Sequence, residues 1–219
     1  MPPRQQSHLP RQARPTRTIQ QLFERGALFM YFMLECYEPL TARRALIDYV
    51  PDDPPDQIFG RDWNSGMQFG TAPITRMIAT IPASQAGEVL EMHTATLPLM
   101  TVRLAEALKA AGVDNIDYYS AEIHDEQSGV HITTHLAFNI VGTVAAANLK
   151  KSILSGDQSP MIAGSFDSLT IDSGKVRGAK LFRLAEAVMG IVVHESVKRT
   201  IERAGIDTLT FVPPAEWIS

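Results

Sequence analysis

The feature that most constrains the fold is an internal duplication. Residues 99–117 (LMTVRLAEALKAAGVDNID) and 192–210 (VVHESVKRTIERAGIDTLT) share the order apolar segment, amphipathic segment, Ala-Gly, apolar segment. In each copy, one side of a helix is marked by residues at i, i+3, i+4 and i+7: Leu104, Ala107, Leu108 and Ala111, then Val197, Thr200, Ile201 and Ala204. Each copy therefore predicts a strand, a helix and a second strand.

The helix ends carry their own signals. Thr101 immediately precedes the first amphipathic segment, and threonine is a good N-cap because its hydroxyl accepts from a free backbone N–H. Gly112 and Gly205 follow the two segments, where a helix commonly ends in left-handed geometry. We expect both helices to end at these glycines.

A hairpin is predicted between the two copies. Its arms are residues 116–123 and 130–141, joined by a turn at 124–129. The second arm alternates between apolar residues and a polar set made of His131, Thr133, His135 and Asn139. This alternation predicts a half-buried antiparallel strand with the polar set facing solvent.

The remaining segments complete an α+β fold. Residues 30–37 predict a first strand, and the Asp-, Pro- and Gly-rich residues 38–75 predict an irregular layer. Residues 181–189 fit either a helix or a strand, residues 209–212 predict a strand, and Trp217 is expected to pack as an anchor. Together these patterns predict a central, mostly antiparallel sheet with two related strand-helix-strand units packed on it.

The domain organisation follows from composition. Residues 1–29 are rich in proline, glutamine and arginine and predict a flexible N-terminal arm. Residues 30–219 predict a single domain, with a division into an irregular layer at 30–95 and a main part at 96–219 as the alternative.

Charge is unevenly distributed along the chain. The formal net charge is −4, but without residues 1–29 the chain has 15 basic and 23 acidic residues, a net charge of −8. This acidic body opposes nucleic-acid binding, which usually needs a basic patch. It favours attraction to a basic protein partner.

Cys36 is the single cysteine, so no internal disulfide and no zinc site built from several thiolates can form. Its apolar setting predicts a small buried side chain, with a nucleophile as the alternative. No uncharged apolar run is long enough for a membrane helix, and the N-terminus lacks the apolar core of a secretory signal. We therefore expect a cytoplasmic protein.

Several residues invite a chemical interpretation. His131 and His135 would lie about 13 Å apart on one extended strand, too far to share a zinc ion. His194-Glu195 lacks the second histidine of the zinc-protease helix motif. His124, Asp125 and Glu126 could act as general acid and base, although the adjacent Gln-Ser-Gly favours a solvated hairpin tip. We predict no catalytic set, metal site or cofactor.

Several short stretches, in order, resemble a known family. They are Met30-Tyr-Phe-Met-Leu-Glu, Asp62-Trp63, Leu97 to Leu108, Gly112 to Ile116, Phe138 to Gly142 followed by Lys151-Ser152, Leu181 to Glu186, and Ala204-Gly-Ile with Leu209-Thr-Phe. Over residues 30–217 the chain is similar to immunity-protein family eleven of bacterial polymorphic toxin systems. One departure is visible: members of the family often carry an acidic residue shortly before the Lys-Ser pair, and residues 145–148 (AAAN) occupy that region here.

The resemblance implies an immunity protein that binds and neutralises a cognate secreted toxin by occluding its active site. A basic nuclease would suit the acidic body. Residues considered for partner binding are the acidic loop residues and one aromatic residue expected to be exposed: Asp52, Asp53, Asp56, Asp62, Trp63, Asp125 and Glu126. The family supplies no catalytic motif to transfer.

Two other functions stay open at this point. One is a hydrolase that reverses a toxin's modification with His124, Asp125 and Glu126. The other is a scaffold in which the duplicated unit mediates homo-oligomerisation.

Overall fold

The computed structural model describes residues 30–36, 44–49, 63–69, 77–94, 97–155 and 165–218. The predicted arm at 1–29 lies outside these residues, as do Asp52, Asp53, Asp56 and Asp62.

The described strands form two main sheets, and the helices lie between strands along the chain. The strands are β1 (Tyr31–Cys36), β2 (Met77–Ile81), β3 (Met92–His93), β4 (Leu99–Thr101), β5 (Ile116–Asp125), β6 (His131–Ile132), β7 (His135–Ile140), β8 (Thr143–Val144), β9 (Ile153–Leu154), β10 (Phe166–Ser168), β11 (Leu181–Leu184), β12 (Ala187–His194) and β13 (Leu209–Val212). The helices are α1 (Val102–Ala110), α2 (Ser173–Val176) and α3 (Glu195–Arg203). Residues 181–189, which fit a helix or a strand, belong to strands.

The duplicated segments build two matching units. In the five-stranded sheet, ordered β13-β1-β12-β11-β8, strand β1 lies between β12 and β13 and is antiparallel to both. In the six-stranded sheet, ordered β2-β5-β7-β4-β3 with β6 beside β5, strand β7 lies between β4 and β5 and is antiparallel to both. Each unit is therefore a split strand-helix-strand with one antiparallel strand inserted. The α+β prediction is confirmed, with two antiparallel-rich sheets in place of one.

The predicted helix ends are confirmed. The Thr101 hydroxyl accepts from the backbone N–H of Leu104 at 3.1 Å. Gly112 and Gly205 adopt φ values of +77° and +71°. In the second copy the His194 ring accepts from the Ser196 N–H at 3.1 Å and replaces the threonine cap. None of the helices in the described ranges combines the length and apolar character needed to cross a membrane.

The two helices pack against each other and join the two sheets. Leu104 and Leu108 of α1 belong to the same buried set as Val197 and Ile201 of α3. That set also includes Phe138 of β7 and residues of β1, β11, β12 and β13. Full burial of each such side chain contributes roughly 1.5–3 kcal/mol. The apolar stripes read from the duplication therefore form the central core.

The opposite face of each sheet is also covered. Behind the five-stranded sheet, Met33 and Phe182 pack with Phe166 and with Trp217, which is 6% exposed. Behind the six-stranded sheet, Ala137 and Ile123 pack with an outer layer made of residues from the described ranges 45–49 and 63–69. Trp217 is thus the expected anchor, and its indole Nε1 donates to Glu35 at 2.9 Å.

This second covering overturns the prediction for the hairpin's second arm. His135 is 3% exposed and Asn139 is 0% exposed, so the polar face of β7 is buried and not solvated. The Nε2 of His135 lies 3.1 Å from the Leu90 carbonyl oxygen, and the Asn139 amide donates to the Met67 carbonyl at 2.7 Å. Leu90 and Met67 supply these hydrogen bonds, which makes burial of the polar side chains tolerable.

A matched pair of leucines tests the central core. Leu104→Ala leaves a cavity at a fully buried position, and we expect the free energy of unfolding to fall by about 2–5 kcal/mol. Leu149→Ala changes a leucine that is 55% exposed and should alter it by less than about 0.5 kcal/mol. Urea unfolding followed by circular dichroism measures both. Equal effects would contradict the proposed core.

Candidate functional site

Strand β5 extends beyond its neighbour β7. Its first half, up to Ser120, pairs with β7, whereas its second half pairs with β2 and with the short β6. Successive side chains of a strand point to opposite faces. Ala121 and Ile123 therefore face the buried outer layer, and Glu122 and His124 lie on the other face.

Three side chains meet on this extension, and we call Glu122, His124 and His131 the hairpin cluster. His131 of β6 is the direct cross-strand partner of His124. The two imidazole rings stack with centroids 3.9 Å apart and planes at 19°. His124 Nε2 and His131 Nδ1 each lie 2.8 Å from the same atom, Glu122 Oε1.

The hairpin cluster is accessible from solvent on one side. The exposed fractions of the side chains are 13% for Glu122, 32% for His124 and 60% for His131. The neighbouring strand β2 places Ile78 opposite Glu122 and Thr80 opposite His124. The potential ligand atoms of the three residues all lie within 4.8 Å of one another. Such a group can share protons or hold a metal ion.

Sequence reasoning missed this cluster because it compared histidines along one strand. His131 and His135 are indeed separate, since His135 is buried and bonded to the Leu90 carbonyl. The register of the hairpin could have revealed the cluster, because it places His131 opposite His124. Glu122 lies two residues before His124 and therefore on the same face.

The side chains of Asp125 and Glu126 accept hydrogen bonds at the tip of the hairpin. The Asp125 carboxylate accepts from the Gln127 N–H at 3.0 Å and from the Ser128 hydroxyl at 2.6 Å. The Ser128 hydrogen bond lowers the pKa of Asp125. Glu126 accepts from the Ala83 N–H at 3.3 Å. The solvated hairpin tip is confirmed, and His124, Asp125 and Glu126 do not converge on one point.

Trp63 lies inside the protein, so the expectation that it is exposed is wrong. It is 5% exposed and packs edge-on against Phe69 and Tyr119, with ring centroids 4.7 and 5.6 Å away. The reason is the outer layer, which needs a large apolar side chain to cover the six-stranded sheet. Trp63 anchors that layer.

Cys36 lies at the edge of the central core, where it is partly buried. Burial raises the pKa of its thiol, because the thiolate is poorly solvated there. Its Sγ lies 3.8 Å from the Thr208 carbonyl oxygen. These features fit a small packing residue, and a reactive nucleophile would need a lowered pKa.

A second buried histidine, His93, lies beside His135. His93 is 4% exposed, and its ring centroid lies 6.3 Å from that of His135. Burial lowers the pKa of His93 to about 3, with further lowering by the charges of Arg44 and His135. Burial also lowers the pKa of His135. Both rings are therefore neutral at pH 7.

Comparison with known families decides the assignment. The model of the Immunity protein family (Imm11) matches residues 43–216 of the chain. The chain belongs to the Imm11 family. The resemblance drawn from the sequence is confirmed, and the comparison with curated proteins gives no match. In this Imm11 protein Ala146 and Ala147 are fully buried.

The buried histidines give the protein a specific response to pH. The folded chain keeps His93 neutral, whereas the unfolded chain takes up a proton near pH 6.5, so stability decreases as the pH falls below that value. Between pH 7 and pH 5 we expect the wild type to lose about 2 kcal/mol more than His93→Leu does. Urea unfolding at a series of pH values measures this difference.

The control for this measurement is Leu149→Ala, which changes an exposed side chain that carries no titratable group. It should follow the pH dependence of the wild type. An identical pH dependence for His93→Leu and the wild type would contradict the assignment of a buried neutral ring.

Proposed function

We propose that this Imm11 protein acts in the bacterial cytoplasm, where it binds a cognate secreted toxin and occludes its active site without turnover. The observation that carries the proposal is the family match over residues 43–216. Protection then depends on a stoichiometric complex between the two proteins.

The architecture suits a preformed binding surface. Both main sheets have buried apolar residues on both faces, and the central core ties the two units together. A rigid surface loses little conformational entropy on binding, which favours tight inhibition. A standard inhibitor interface buries about 1,600 Å² in total.

We place the toxin-binding surface at the hairpin end of the six-stranded sheet. Asp48 pairs with Thr80 through backbone hydrogen bonds, and Thr80 pairs with His124 on β5. Asp125 and Glu126 follow at the end of β5. We call Asp48, Asp125 and Glu126 the acidic surface. The loop residues Asp52, Asp53, Asp56 and Asp62 remain proposed contacts, and the buried Trp63 supports the layer from inside.

The expected partner has a basic active-site cleft, as a nuclease does. Opposite charge raises the rate of encounter and selects the correct partner orientation. The net charge of −8 outside residues 1–29 supports this choice.

The hydrolase alternative has no geometric support. His124 and Asp125 are successive residues of β5 and point to opposite faces. The Asp125 carboxylate is engaged by Gln127 and Ser128, and Glu126 by Ala83. The three groups proposed as acid and base therefore do not face a common substrate position.

Co-expression with the toxin encoded by the adjacent gene tests the proposal. We expect restored growth and a stoichiometric complex with an inactive toxin variant on size-exclusion chromatography. Leu149→Ala, which changes an exposed side chain, should protect fully, whereas the core variant Leu104→Ala should protect less as folded protein is lost. Lack of both rescue and complex would refute an immunity role towards that toxin.

Charge reversal tests the acidic surface. Asp48→Lys combined with Glu126→Lys should slow association with the toxin by about tenfold or more at low salt, with a smaller effect at high salt. The matched control is Asp114→Lys with Asp207→Lys, which changes the net charge equally at exposed positions before β5 and β13. Stopped-flow fluorescence measures the rates.

Asp114 precedes the first residue of β5 and Asp125 is its last, so the control residue lies about 30 Å from the acidic surface. Equal slowing by both double variants would show that only overall charge matters. Unchanged association in the Asp48 and Glu126 variant would place the toxin elsewhere on the protein.

A further inference from the structure

We infer that the hairpin cluster binds a divalent transition-metal ion, with Zn²⁺ as the expected occupant. Glu122, His124 and His131 supply two imidazole nitrogens and one carboxylate oxygen from one face of two paired strands. The site does not depend on the immunity role, because it follows from the geometry of these three side chains.

The positions of the ligand atoms fit a tetrahedral ion after a small adjustment. Zinc bonds to nitrogen and oxygen of 2.0–2.2 Å place neighbouring ligand atoms about 3.3 Å apart. In the structure both imidazole nitrogens lie 2.8 Å from Glu122 Oε1, and all three ligand atoms fall within 4.8 Å. Opening the two nitrogen-to-oxygen separations by about half an ångström is within reach of side-chain rotation alone.

The backbone holds the ligands ready. Glu122 and His124 lie in the middle of a sheet segment, since β5 pairs there with β2 on one side and with β6 on the other. The Glu122 side chain is largely buried, and the stacked imidazoles limit each other's rotation. Little side-chain freedom remains to be lost when an ion binds.

The ligand chemistry selects the class of ion. Neutral imidazole with a carboxylate suits zinc and its neighbours such as cobalt, nickel and copper. Magnesium and calcium prefer sets made of oxygen ligands. An ion would replace the hydrogen bonds between the two rings and Glu122, and the negative charge of Asp48, which pairs with Thr80 on the neighbouring strand, would add attraction.

The site would keep an open position. His131 is 60% exposed, so the side of the cluster away from the sheet faces solvent. Three protein ligands leave a tetrahedral ion one coordination position for water or for a side chain of another protein. Binding would also join β5 to β6 through side chains and stabilise the hairpin.

Metal titration tests the site with the full chain, purified without a polyhistidine tag and treated with a chelator. Isothermal titration with ZnCl₂ should give one saturable site per chain, and MgCl₂ should give none. His124→Ala and His131→Gln should each weaken zinc binding at least about tenfold. His194→Asn, a histidine outside the cluster, should keep the affinity of the wild type.

Two further measurements separate the site from nonspecific binding and from misfolding. Co²⁺ bound to the wild type should show the strong visible absorption of a four-coordinate ion, and Glu122→Gln should weaken it. At zinc concentrations 100 times the dissociation constant, the melting temperature should rise by roughly 5–10 °C in the wild type and not in His131→Gln.

His131→Gln keeps a polar, hydrogen-bonding side chain at an exposed position, so its circular dichroism should match the wild type. Zinc affinity that is unchanged in both histidine variants would overturn the proposal. Absence of saturable binding to the wild type would also overturn it and would leave the cluster as two histidines sharing a hydrogen bond to Glu122.

Discussion

The contact between α1 and α3 is the interaction on which the rest of the structure depends. The apolar stripes of the two helices are buried together in one shared core. Leu104 and Leu108 meet the buried set that contains Val197 and Ile201, so each unit completes the core of the other. The apolar positions that the two sequence copies share are thus the residues that form this core.

The two outer layers follow from the same arrangement. With the helices covering one face of each sheet, the apolar residues on the other faces need separate covers. Trp217 helps to cover one sheet, and Trp63 the other. These covers determine which side chains remain at the surface, and they leave the end of β5 as an accessible place for polar groups.

Local pattern predicted the duplicated helices, the Thr101 cap and the glycine ends, because these depend on residues within a few positions of each other. It could not predict the burial of His135 and Asn139, whose partners lie 45 and 72 residues away. The hairpin cluster was missed because it requires the register of paired strands. The family resemblance rested on the order of several short segments, because no single one of them is specific enough to identify the family.

The inserted strand β1 has a consequence for biosynthesis. It lies between β12 and β13 in the sheet. Leu34 therefore cannot pair on either side until Ile191 and Phe211 have been synthesised. During translation the early strand emerges long before its neighbours, with both edges unsatisfied. Such long-range closure slows folding and prolongs exposure to aggregation. The second split unit therefore assembles only after β12 and β13 have been synthesised.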